Sequence, residues 1–203
     1  MVLLEPSTWD WATLGNTFVG AGVGTALVQS LFSLIRERAQ TKKQATYLAT
    51  RLAITLEFFA QACAELISTN RNAETPRGHE FPAWKRLLPD LPTYPDDAGG
   101  WLAIDRSLAD RCLHLRNKIY ASQQAIDFTT DFATHELGDT LDEEAAACGL
   151  EAWKLALELR KKYKLTPADI RYDIVEALEH VVSERGLRKA AALESGADLL
   201  GRT

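Results

Sequence analysis

Four histidines and three cysteines are the side chains of this 203-residue chain best suited to metal or nucleophile chemistry. Two histidines stand one helical turn from a carboxylate: His135 follows Asp131, and His180 follows Glu176. A carboxylate and an imidazole four residues apart share a helix face and could share a metal. Di-iron bundles, however, set Glu-x-x-His on two helices with two further glutamates, and that arrangement does not occur here. Both pairs therefore read as solvated ion pairs on helix surfaces. His114, between Leu113 and Leu115, reads as half-buried, and His79 beside Glu80 has no third group to work with. Cys63, Cys112 and Cys148 are odd in number and widely spaced, which fits a reducing compartment and excludes a zinc cluster. There is no P-loop, G-x-S-x-G, HExxH or CxxC. Gly20, Gly22 and Gly24 precede helix without a strand before them, so a nucleotide loop fails as well. No catalytic residue, no metal site and no cofactor is expected, and the chain reads as a non-enzyme.

The elements carry more information than the reactive side chains. Residues 11–35 contain no charge, and the chain then turns basic at Arg36, Arg38, Lys42 and Lys43. A helix over 11–35 reaches roughly 37 Å, enough to cross a ~30 Å hydrocarbon core with some tilt. It reads as a single transmembrane helix with a cationic collar. A buried core helix is the alternative, since Asn16, Gln29 and two serines temper its hydrophobicity, but four glycines suit a soluble helix poorly. A cleaved signal needs a positive n-region, whereas residues 1–10 hold Glu5 and Asp10 and no cation. Cations stay on the cytoplasmic side, so residues 1–10 are expected outside and the rest of the chain inside a cell's inner membrane. Trp9 and Trp11 sit where an interfacial aromatic belt would be.

Composition supports one further domain. The chain is 46% hydrophobic and 25% charged, with a formal net charge of −5. Residues 36–51 hold five cations against the single Glu37, so the remainder is strongly acidic. An acidic body argues against a nucleic-acid partner.

Helical periodicity runs on past the collar. Leu48, Leu52, Leu56, Phe59, Cys63 and Leu66 form one stripe, with Ile54, Phe58 and Ala62 as a second apolar face and Glu57, Gln61 and Glu65 on a ridge. No breaker separates residue 11 from residue 68, which predicts one long helix or two nearly collinear ones. Residues 69–100 hold five of the seven prolines and form an irregular connection, with Phe81, Trp84, Leu87 and Leu88 as a short turn that caps the core. Asp105 is the expected N-cap of a helix that Gly138 ends. A capping box at Thr140 and Glu143 starts the next helix, whose core face is Leu150, Trp153 and Leu157. Thr166 and Pro167 start the last, which carries Ile170, Ile174, Leu178 and Val181 inward and ends at Gly186. Residues 187–203 read as a short helix and tail. The expected fold is all-α: a transmembrane helix over 11–35 continuing into a cytoplasmic bundle of about four helices over 36–186.

Asn16, Gly20 and Gly24 share one face of the first helix. Small residues let helix backbones approach, and an amide in lipid gains roughly 1 kcal/mol by bonding across the contact. The phrases WLAID at 101–105 and LADRCLHLRN at 108–117, behind an apolar helix and a basic turn, resemble a group of bacterial single-span membrane proteins. That resemblance implies an inner-membrane setting and no activity. The expected function is a membrane-tethered module whose partners are the bilayer and either a second protein or copies of itself. A pore-forming effector and a soluble protein with its first helix buried are the competing expectations.

Overall fold

The computed structural model describes the backbone of residues 11–74, 85–133, 136–168 and 172–200, and the side chains of residues 29–73, 85–133, 136–168 and 173–187. The described residues are predominantly helical, with no strand among them. Its elements are α1 (Trp11–Glu74), α2 (Ala98–Ala103), α3 (Arg106–Phe132), α4 (Leu137–Tyr163) and α5 (Tyr172–Leu200). The all-α expectation therefore holds, with one long apolar N-terminal helix and a bundle of about four helices. Contacts divide the chain into two compact units, Met1–Lys43 and Gln44–Thr203.

Within the second unit α4 is the hub. Along α3 and α4, Asp105 pairs with Lys162, Arg111 with Glu158, Lys118 with Glu151, and Ser122 with Glu144. Partners climb one helix as they descend the other, so the two run antiparallel. Glu57, Cys63 and Arg71 of α1 meet Arg160, Gly149 and Asp142 in the same descending order. Gly149 also meets Leu178 of α5, and Arg185 reaches Glu143 at 2.9 Å. All three neighbours thus run against α4, which explains its run of small residues: Ala145, Ala146, Cys148, Gly149, Ala152 and Ala156 are all buried. A Cβ on Gly149 would lie 2.9 Å from the Cβ of Cys63.

The α1 stripe supplies the facing layer. Leu48, Leu52, Leu56, Phe59, Cys63 and Leu66 are buried as the spacing predicts, and each large side chain there contributes about 1.5–3 kcal/mol. The second apolar face is different: Ile54 is 40% and Phe58 63% exposed. The expected polar ridge also splits, because Glu57 is buried while Gln61 and Glu65 are exposed. A helix turns 100° per residue, so positions four apart drift around the axis and fall on different sides of the contact.

Boundaries shift in three places. Asp105 does cap α3, accepting from the N–H groups of Ser107 and Leu108. Gly138 does not end a helix, however, and Thr140 does not start one: α3 stops at Phe132, and α4 begins at Leu137 with both residues inside it. Leu137 and Leu141 are buried, and that packing outweighs the local capping signal. Gly186 likewise lies inside α5, which continues to Leu200; nothing stands within 4 Å of where its Cβ would be. α5 is described from Tyr172, so the expected start at Thr166 and Pro167 is not a helical turn at those two residues, and Ile170 lies outside the described residues.

The described part of the proline-rich connection is tied down by side chains. Asn70, 2% exposed, bonds both the N–H and the C=O of Lys85. The N–H of Leu88 donates to Gln123 at 2.9 Å, and the Tyr94 hydroxyl donates to the carbonyl of Cys112 at 2.8 Å. Leu88 is buried but Leu87 is 66% exposed; Phe81 and Trp84 lie outside the described residues. The short helix α2, absent from the sequence expectation, is capped by Asp97, which accepts from the Gly100 N–H. Gly100 is there for space: its Cβ would crowd both Asp97 and the Cβ of Leu48 at 2.9 Å.

Candidate membrane and assembly interface on the first helix

In residues 29–43 the described side chains of α1 are exposed on every side. Leu31, Phe32, Leu34 and Ile35 are 60%, 69%, 51% and 57% exposed. At 100° per residue these four point into one arc of roughly 160°, with Gln29, Ser30, Ser33 and Arg36 on the rest of the circumference. An exposed apolar face of this kind is one that lipid or another helix would cover. The Ser33 hydroxyl donates to the Ser30 carbonyl at 2.9 Å and the Thr41 hydroxyl to the Glu37 carbonyl at 2.9 Å.

The cations follow directly. Arg36, Arg38, Lys42 and Lys43 are all exposed. Anionic headgroups attract each such cation by about 1 kcal/mol. Within Gln29–Ala73 the stretch of α1 long and apolar enough to cross a membrane lies beyond the collar, and half of it is buried inside the fold, as in the core helix of a soluble protein. The side chains of Asn16, Gly20 and Gly24 lie outside the described residues; their backbone is helical.

The candidate reactive groups are not brought together. Among the described residues no group of three or more His, Cys, Asp or Glu stands close enough to hold a metal. His180 turns toward Glu184, Nδ1 to Oε2 at 3.5 Å, rather than toward Glu176. His114 is exposed, not half-buried. His135 and His79 lie outside the described residues. All three cysteines are free thiols in the core. Burial pushes the Cys112 thiol up to about 12 and raises Cys63 and Cys148 as well, so none supplies a thiolate near neutrality.

Two features escaped the sequence reading. One is the buried pair of Glu57 and Arg160, in which Arg160 Nη2 bonds Glu57 Oε2 at 2.7 Å and the guanidinium also bonds the Thr166 carbonyl. A charge inside an apolar helical run is its only sequence signal. The other is a cleft of about 500 Å³ beside the α4–α5 connection, lined by Trp153, Leu157, Lys161, Leu165 and Val175. It leaves Leu157, expected in the core, 44% exposed.

Comparison with protein-family models, with curated proteins and with solved structures finds no match.

Proposed function

We propose that this chain is a membrane-tethered, non-enzymatic helical module that holds copies of itself, or a protein partner, at the cytoplasmic face of an inner membrane. The observation that carries the reading is the exposed apolar face of Leu31, Phe32, Leu34 and Ile35 on α1, followed at once by four exposed cations. Lipid would cover that face, and the collar would set the orientation, with residues 1–10 outside. The glycine face with Asn16 is then the natural contact between helices in the bilayer.

Alkaline carbonate extraction of the full chain tests the anchor: retention in the membrane pellet is expected, and release into the soluble fraction would sink the reading. Replacing Gly20 and Gly24 by leucine preserves hydrophobicity while separating neighbouring backbones, so cross-linked oligomers held by that face should diminish.

A second reading has its own observation. Half of the qualifying apolar stretch of α1 is buried in the fold, as in a soluble helical protein. The exposed face would then be covered by other copies of the chain, and carbonate would release the protein as a defined soluble oligomer.

A further inference from the structure

In the second unit the outward face of α1 carries Tyr47, Arg51, Ile54, Phe58, Gln61 and Glu65, all exposed and spaced alternately by four and three residues. Tyr47 is 59% and Phe58 63% exposed. The face is built symmetrically in sequence about Phe58. Arg51 and Glu65 lie seven residues on either side, two helical turns or about 10.5 Å away along the axis. Ile54 and Ala62 stand four residues either side, large against small, and Thr55 and Gln61 stand three either side, hydroxyl against amide. Neither Arg51 nor Glu65 forms an ion pair among the described residues; Arg51 instead lies over the Tyr47 ring, 5.8 Å from its centroid.

We propose that this face binds the same face of a second copy in antiparallel sense, about a two-fold axis at Phe58. In that register Phe58 meets Phe58 and Arg51 meets Glu65 at both ends, with Ile54 and Ala62 level with each other across the seam. A two-fold contact places each pair twice, which is how a short seam gains enough complementarity. Parallel pairing would set Arg51 on Arg51 and Glu65 on Glu65, and like charges across a contact suppress it. The seam lies wholly within residues 44–73 and does not rest on the membrane reading.

The full chain is purified in detergent with single exposed cysteines; the native thiols at 63, 112 and 148 are buried and give no background. Phe58→Cys is expected to cross-link to itself. Arg51→Cys should cross-link to Glu65→Cys on a differently tagged copy, while neither does so alone. Separately, Arg51→Glu or Glu65→Arg alone should weaken the dimer by roughly tenfold or more, and the two reversals combined should restore it. Self-linking of Arg51→Cys, or failure of Phe58→Cys to link in a chain with parental helicity, overturns the proposal. The Phe58→Cys link should persist when Gly20 and Gly24 are leucine, which separates this seam from any contact through the glycine face; its loss in that background would overturn their independence.

Discussion

Arg160 of α4 grips Glu57 of α1 with two guanidinium nitrogens, and the two side chains are only 14% and 10% exposed. The pair ties α1 to the C-terminal end of α4, and the guanidinium also bonds the Thr166 carbonyl just beyond it. Removing one partner strands a buried charge. Glu57→Ala or Arg160→Ala should each cost about 3–5 kcal/mol, whereas Glu57→Leu with Arg160→Met together should recover most of it. Urea unfolding of the four chains in the same detergent checks this; a double variant as unstable as the singles would show that the pair is a net stabiliser.

The close approach of α1 and α4 rests on Gly149. Its Cβ would stand 2.9 Å from the Cβ of Cys63, with Leu178 behind at 3.3 Å. Gly149→Ala should therefore destabilise by about 1–3 kcal/mol despite alanine's better helix propensity. Because the clash is with a Cβ, Cys63→Ala in the same chain should not relieve it. Thermal unfolding monitored by circular dichroism separates the outcomes: a higher midpoint for Gly149→Ala would mean that the helices yield freely.

Lys164 ends α4 at φ 54°, the single non-glycine residue with positive φ among those described. A side chain there costs about 1–2 kcal/mol against the left-handed conformation. Glycine removes that cost but gains unfolded-state entropy, so Lys164→Gly should stabilise by about 0.5–1 kcal/mol. An unchanged unfolding midpoint would show that the lysine stem makes a compensating contact.

Asp105 introduces a pH dependence. Hydrogen bonds from Lys162, then Ser107 and the Leu108 N–H, hold its carboxyl well below the usual carboxylate range. A folded pKa below the unfolded one contributes stability above the unfolded value, near pH ~3.9, and loses it as pH falls through the folded value. The stability difference between parent and Asp105→Asn should therefore be flat from neutrality to about pH 5 and shrink below about pH 4. A difference that stays constant into strong acid would mean that charge is not what Asp105 contributes.

Changing Arg36, Arg38, Lys42 and Lys43 to glutamine should loosen or invert the topology if charge asymmetry sets it. The readout is an engineered cysteine near the N-terminus, labelled by an impermeant reagent in intact cells. Labelling equal to the parent would assign orientation to the folded bundle instead.

Much of this architecture is written along the chain. The Leu48–Leu66 period fixes which side of α1 is buried, since only that spacing aligns large apolar side chains on a 3.6-residue turn. Asp105 caps α3 because its carboxylate reaches N–H groups two and three residues on, a purely local event. The uncharged 11–35 stretch and its cationic collar are equally local. What the chain left open are matters that neighbours decide. Gly138, Thr140 and Gly186 carry stop and start signals worth about 1 kcal/mol, and burial of Leu137 and Leu141 outweighs the first two. Glu57 looked like its neighbours Gln61 and Glu65 until Arg160, 103 residues away, drew it inward. Ile54 and Phe58 looked like core and are surface, because α4 occupies one side of α1 and no described element of the same chain covers the other. Sequence determines the periods, caps and charges that each helix can read within a few turns of itself; only the tertiary structure decides which faces meet, because that depends on partners far along the chain whose packing outweighs local preference.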